Sequence, residues 1–266
     1  MKIKNKSVLG YLYNNLDFLI RFVYCKIPFI SKILFWKLYA SDFKKLDSKF
    51  EEIKNNLEKN KLTMKGKTIM ELGSGNSFIN AYNFLMNGAK KVVLVDKFSR
   101  YTESKKQKDF FQNEINFIKQ KYKTNNLKFI QNKKVNKNKI QFIEGDISDL
   151  KFKSKYDLII SISVLEHVKN IKGTIKKLSE ILKPKGLMYH KIDLRDHYNF
   201  NKPFKFYKYS NWTWNNLLTK EGVSYTNRLK INEYNNIFKD NKLLEVTKIT
   251  KKIGNKVGIL EVILKK

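Results

Sequence analysis

Cysteine is nearly absent from this chain of 266 residues. Cys25 stands alone, which excludes an internal disulfide and a cysteine-built zinc cluster, and fits a reducing cytosol. Long apolar runs are missing as well. No uncharged stretch approaches the roughly 20 residues that a membrane helix needs. The first apolar stretch is broken by Asp17, Arg21 and Lys26, so no signal peptide is expected. No internal repeat is visible. What remains is 42% hydrophobic and 14% aromatic, the make-up of a globular chain with enough length for one large domain, or one domain and a small extension.

Arginine is the other scarcity. The net charge is +31, yet only Arg21, Arg100, Arg195 and Arg228 are arginines among 55 basic residues. The remaining 51 are lysines, and Asn and Ile are abundant beside them, as AT-rich coding would produce. A site built to read phosphates or bases favours the bidentate arginine fork. The charge is therefore read mainly as background, and the four arginines as the basic positions of interest.

Against this background one stretch stands out. Thr68-Ile69-Met70-Glu71-Leu72 is an apolar run ending beside an acid, and Gly73-Ser74-Gly75-Asn76-Ser77 follows. The run Val92-Val93-Leu94-Val95-Asp96 comes about twenty residues later. This is the order strand, tight turn, helix, strand, carboxylate. Such a βαβ unit suits a nucleoside, with glycines admitting the backbone to the ligand and the second acid taking the ribose hydroxyls. A dinucleotide fold places a third glycine where the helix opens on a pyrophosphate. Phe78 holds that place, which speaks against a pyrophosphate ligand.

The pattern Glu71-x-Gly73-x-Gly75 resembles the first motif of class I S-adenosylmethionine (SAM) methyltransferases, with Ser77 at a place where the family often has a small residue. Three further stretches resemble the family in the same order. Phe142-Ile143-Glu144-Gly145-Asp146-Ile147 looks like its third strand end. Tyr156 to Val168 looks like its fourth strand and the following turn. Leu182-Lys183-Pro184-Lys185-Gly186-Leu187 looks like the helix-to-strand turn before its fifth strand. The resemblance spans about residues 61–266 and is firmest over 67–194.

The apolar spacing supplies the rest of the architecture. Phe43, Leu46, Phe50, Ile53 and Leu57 step by three and four, which predicts a core-facing helix. Strands are predicted near 67–72, 91–96, 139–143, 156–162 and 187–193, with helices near 79–87, 102–122, 171–182 and 229–239. A last pair near 243–250 and 256–264 is joined by Gly254-Asn255 as a hairpin. Alternation of this kind gives a parallel sheet covered on both faces. The expected fold is α/β: a Rossmann-like seven-stranded, mostly parallel sheet with a final antiparallel hairpin, plus an N-terminal helical extension over residues 1–60. Residues 61–266 form the expected methyltransferase domain. Residues 124–139 are Lys/Asn-rich and read as a solvated loop. Residues 8–39 are aromatic and basic, read as helices on the domain or as an amphipathic element for peripheral contact with an anionic membrane face. Residues 195–227 are rich in aromatics, fit no regular element and follow the fifth strand, so they are expected to cap the acceptor.

The resemblance implies roles. Glu71 orders the turn and the methionine end of SAM. Gly73, Ser74 and Gly75 border the amino-acid tail, Asp96 accepts from the ribose hydroxyls, Asp146 accepts from the adenine amine, and Ile147 lies on the ring. Ser161 stands where the fourth strand borders the methyl group. Lys97 departs from the apolar residue common there, and Phe98 is a substitute. Methyl transfer is an in-line displacement, so the enzyme chiefly positions donor and acceptor, and a hydroxyl acceptor needs a base. The three histidines, His167, His190 and His197, fall within 31 residues. His190, His197 and Asp193 are the catalytic candidates, with His190 favoured because a strand holds it. The same three could ligate a metal, but no metal is expected. The function expected is methyl transfer from SAM to a small molecule or glycan precursor, at oxygen, in the cytoplasm or at the inner face of a membrane. An RNA methyltransferase is the alternative; a SAM-fold protein that binds without turnover is a further one.

Overall fold

The structure is a computed structural model. It describes residues 42–75, 77–97, 105–131, 134–197, 201–219 and 225–266, with Leu19 and Phe22. The element expected at 8–39 and the substitute Phe98 lie outside the described residues.

Nine strands are present among them: β1 Thr68–Leu72, β2 Lys91–Asp96, β3 Ile130–Gln131, β4 Lys134–Val135, β5 Ile140–Glu144, β6 Tyr156–Ile162, β7 Leu182–Asp193, β8 Leu244–Ile253 and β9 Lys256–Lys265. Seven make one sheet in the order β5-β2-β1-β6-β7-β9-β8. β5, β2, β1, β6 and β7 run parallel, and β9 and β8 close the sheet antiparallel. The expected mixed sheet and final hairpin are both there. The chain leaves β1 toward β2 on one side and returns to β6 on the other, so the strand order reverses between β1 and β6. Ligands of open α/β sheets bind at the carboxyl ends of strands beside such a reversal.

Side chains alternate across the pleat, and each face has its own core. Helices α1 (Phe43–Lys59), α2 (Ile79–Met86) and α3 (Lys105–Lys121) cover one face with Phe50, Ile53, Leu57, Tyr82, Phe84 and Ile118. Helices α4 (Ile171–Ile181) and α5 (Ile231–Asp240) cover the other with Ile175, Leu178, Tyr234 and Phe238. α1 begins at Asp42, whose carboxylate accepts from the Lys45 N–H at 3.2 Å. Its polar flank then climbs β7 turn by turn. Asn56 donates to Tyr189 Oη at 3.2 Å and to Glu261 at 3.0 Å, and one turn earlier Glu52 pairs with Lys191. α1 belongs to the same compact unit as the sheet, residues 41–194 with 229–266, so a boundary at residue 60 falls at the end of a core helix.

Two segments differ from expectation. β7 begins at Leu182 rather than near 187, because Leu182 already pairs with Tyr156 ahead of a bulge that Lys185 turns with a φ of 61°. Within 124–139, β3 and β4 form a short antiparallel pair. Phe129 beside it is buried and stacks on Tyr82 at 5.3 Å. One apolar anchor per turn is too sparse a signal to mark strands among Lys and Asn.

Residues 195–228 fall in a second compact unit. Its core is Phe206 and Trp214 with Leu218, flanked by the aromatics Phe204, Tyr207 and Tyr209. Arg228, held at a φ of 58°, donates to the Phe206 and Tyr209 carbonyls at 2.9 and 2.8 Å and to Asn211. Its guanidinium lies over Trp214 at 5.2 Å. One of the four arginines is thus spent on knitting an irregular segment together.

Candidate functional site

β1 delivers Glu71 and the glycine turn to the point of reversal. Gly73 has a φ of 76° and donates to the Val95 carbonyl at 2.7 Å; a Cβ there would collide with Val164. Gly75 has a φ of 63°, donates to Asp96 Oδ2 at 2.8 Å and faces open space. Both glycines meet the left-handed requirement, and Gly73 a steric one besides. Burial pushes the Glu71 carboxyl up to about 7, against the hydrogen bond from Asn80 at 2.6 Å and the charge of Lys49. Its second oxygen and the buried Ser74 hydroxyl have no partner among the described residues, which suits groups kept for a ligand.

The entry of α2 is closed. Glu114 of α3 accepts from the Ser77 hydroxyl and from the Phe78 N–H at 3.1 Å. The Phe78 ring packs on Phe111 at 4.8 Å and on Tyr82 at 6.0 Å. A buried carboxylic acid and an aromatic ring occupy the place where a pyrophosphate would need open amides.

At the β2 and β5 ends, Asp96 sits at the edge of the turn. Asp146 accepts from the Ser148 hydroxyl at 2.7 Å and amide at 3.0 Å, and pairs with Lys97 at 2.9 Å. Burial raises the Asp146 carboxyl, but Lys97 and Ser148 outweigh it and hold it below the usual carboxylate range. Both its oxygens are engaged within the protein, so an adenine amine would share an acceptor already in use. Ile147 is buried in the core on the α4–α5 face.

At the β6 and β7 ends, Ser161 and His190 are cross-strand partners, both fully buried, with Oγ 2.8 Å from Nδ1. The His190 ring stacks on Phe238 of α5 at 6.2 Å, and burial pulls its pKa down to about 3. The favoured base is therefore an interior group in this conformation, its ring without exposed surface and its Nδ1 engaged with Ser161. The Ser161 side chain is likewise taken up, leaving its backbone beside β1. Beyond β6, Ser163 turns with a φ of 53° and Val164 fills the space above Gly73. Glu166 follows, buried, accepting from the Asp193 N–H at 3.2 Å. Burial pushes its carboxyl up to about 8, with Asp193 adding to the rise. His197 is assigned to the 195–228 unit, and His190 and Asp193 to the sheet unit.

A methyltransferase domain family model matches residues 43–236, most of the chain and all of the site just described. The chain belongs to the methyltransferase domain family. S-adenosylmethionine is the methyl donor of these enzymes. A malonyl-(acyl-carrier protein) O-methyltransferase of Priestia megaterium (strain DSM 319 / IMG 1521) is 43% identical over 54 residues. That stretch covers 20% of this chain and 20% of the relative's length. The structure of magnesium protoporphyrin IX methyltransferase from Synechocystis PCC 6803, with S-adenosylhomocysteine bound, has the same fold. Its TM-score is 0.52 at 12% identity, covering 94% of this chain and 99% of that one.

The residues of this methyltransferase domain fit the donor. The open turn, the partnerless Glu71 and Ser74 atoms and the carboxylate of Asp96 make a polar cradle, while the closed α2 entry asks for a ligand without phosphate. Three groups escaped the sequence reading: Lys49, Glu114 and Glu166. Lys49 and Glu114 stand on helices whose spacing reports only the apolar stripe. Glu166 stood in plain sight within Leu165-Glu166-His167, but only the fold shows that it is buried.

Proposed function

We propose that this methyltransferase moves the methyl group of S-adenosylmethionine to an oxygen of a small molecule or glycan precursor. The observation that carries the donor side is the contrast at β1, with an open glycine turn beside partnerless polar atoms and a helix entry sealed by Phe78 and Glu114. The bound donor supplies an electrophilic methyl on a sulfonium. Around it, Asp96 is positioned to accept from ribose hydroxyls, Asp146 and Ile147 to flank the adenine, and Gly73 to Gly75 to border the tail. Ser161 contributes its backbone at the strand reversal. An oxygen acceptor needs its proton taken as the bond forms. With His190 sealed in the interior, that task falls to Asp193 at the end of β7 or to His197, with the 195–228 unit as the acceptor cap. The reading places the protein in the cytoplasm. Among the described residues no helix is long and apolar enough to cross a membrane.

Calorimetry tests the donor assignment. S-adenosylhomocysteine should bind the purified protein, and NAD should not. Asp96→Ala removes the charged acceptor for two hydroxyls and should weaken binding by about 1.5–3 kcal/mol. Tight NAD binding, or unchanged affinity in Asp96→Ala, would sink the assignment. Screening nucleotide sugars, glycans and small hydroxy compounds with labelled donor would then identify the acceptor.

A further inference from the structure

Within the 195–228 unit the helical turn Asn211–Thr213 runs straight into a π-helical turn, Trp214–Leu218. The two turns carry tryptophans with opposite fates. Trp214 is 2% exposed, its Nε1 donates to the Thr226 carbonyl at 2.9 Å, and the Arg228 guanidinium lies over its ring. Trp212 stands two residues earlier, about 200° round the helix, and is 66% exposed. Among the described residues no aromatic ring or cation packs on its indole. The fold has no use for it there: Trp214 fills the core, and a large ring left in water gains nothing from burial. Its backbone is nonetheless held firmly. Ser210 accepts from the Thr213 N–H at 3.0 Å, and Asn216 donates to the Trp212 carbonyl at 2.9 Å. A fixed turn that presents one indole to solvent has the form of a binding anchor, because the ring loses little freedom when a ligand covers it.

The surroundings of Trp212 select the ligand. Residues three and four positions on share a helix face, which sets Asn215 and Asn216 beside Trp212, and Asn211 precedes it. All four are exposed. Asn211 gives its carboxamide oxygen to Arg228, which fixes the amide in place. From Tyr209 to Thr219 there is no charged residue, in a chain that is 30% charged. A nucleic-acid strand is held chiefly through cations on its phosphates, and an anionic membrane face draws aromatic rings set among lysines. This face offers neither. Neutral amides around an indole complement a neutral sugar ring. Its slightly positive C–H face lies on the negative face of the indole, and its hydroxyls meet amides that both donate and accept. We infer that Trp212 is the stacking platform of a neutral-sugar site, with the amides of Asn211 and Asn215 beside it. The inference rests on the acceptor reading above and narrows it to a glycan acceptor with an uncharged sugar ring.

The probes are neutral oligosaccharides, namely gluco-, galacto- and manno-configured and N-acetylglucosamine oligomers, added at millimolar concentration to the full-length protein. At least one oligomer should protect the tryptophan fluorescence from acrylamide, since the quencher reaches Trp212 and not the buried Trp214. Calorimetry with that oligomer should find a loss of about tenfold or more in Trp212→Ala, the scale of an anchor residue. Trp212→Phe keeps a ring and should keep most of the affinity, and Asn215→Ala should lose severalfold. Because the side chain is exposed, Trp212→Ala should melt with wild type and bind S-adenosylhomocysteine as wild type does. Unchanged oligomer affinity in Trp212→Ala overturns the inference, and so does a panel from which no oligomer binds. A marked fall in the melting temperature of Trp212→Ala also overturns it, marking the indole as structural. Protection by single-stranded RNA or by anionic lipid vesicles, and by no oligomer, overturns it and hands the indole to base stacking or to a lipid interface. Wild-type protein that binds an oligomer but not S-adenosylhomocysteine overturns the donor reading and leaves the sugar site standing. The reverse pattern keeps the donor and removes the sugar site.

Discussion

A histidine at a strand end can serve as a base only if a ring nitrogen meets solvent or substrate, and in this conformation the His190 ring is fully buried. Its Nδ1 lies against Ser161 and its face against Phe238, while Nε2 has no partner among the described residues. The alternation of β7 was legible: Met188, His190 and Ile192 share one face, the core face toward α4 and α5. What the sequence did not show was that α5, some forty residues on, returns to cover that face. His190→Ala should leave a cavity and an orphaned Ser161 hydroxyl, and so cost about 2–4 kcal/mol in denaturant unfolding. S-adenosylhomocysteine affinity of the folded protein should persist. The pH dependence has a definite sign. The folded state holds His190 near 3, below the 6.5 of the unfolded chain. Its contribution is intact above pH 6.5 and is lost as the pH falls toward 3, because the unfolded chain takes a proton that the folded one refuses. The Ala variant should lack this acid slope. A variant as stable as wild type would show that the buried pair contributes nothing to the fold.

Strands and helices of the sheet unit announce themselves through period and punctuation. β1, β2 and β6 are apolar runs because helices cover both faces, and α1 shows its stripe from Phe43 to Leu57. Contacts between elements are a different matter. Glu114 lies 36 residues from Phe78, and nothing in the spacing of α3 says that its one buried acid caps the start of α2. Burial pushes the Glu114 carboxyl up to about 8, against its bonds from Ser77 and Phe78. With the folded value above the unfolded 4.5, the stability it contributes is full below pH 4.5 and is lost as pH rises through about 8. Glu71 and Glu166 act in the same direction. Glu114→Gln keeps an amide oxygen for the Ser77 and Phe78 donors and cannot ionise. Urea unfolding should find the variant close to wild type at pH 5 and progressively more stable relative to it by pH 8.5. A constant difference across that range would mean that Glu114 is already ionised in the folded protein and that the seal on α2 is a salted cap rather than a neutral one.

At the scale of the whole molecule the unusual property is charge, +31 carried by lysines over arginines 51 to 4. The described arginines and lysines with visible tasks use them inside the protein. Arg228 binds carbonyls of its own unit, Lys121 bridges Asp47 and Glu51 between α3 and α1, and Lys191 and Lys183 pair with Glu52 and Asp157. None of these makes the bidentate fork on a surface groove that would read a phosphate or a base edge. Lysines spread over a folded surface still attract polyanions, through release of the counterions that surround nucleic acid, and that attraction is indifferent to sequence and steep in salt. The alternative function as an RNA methyltransferase therefore meets a direct test in filter binding with a structured RNA and a scrambled one at about 50 and 200 mM salt. The expected result is equal affinity for the two RNAs and a fall of about 10³-fold or more between the two concentrations if several phosphates are engaged. A preference for one structured RNA that survives at the higher salt would require contacts to bases or to a fixed backbone shape, which diffuse lysine charge cannot supply. It would move the acceptor of this methyltransferase from a hydroxylated small molecule to RNA, with the aromatic 195–228 unit as the surface to examine next, since stacking on Trp and Tyr faces is how unpaired bases are held.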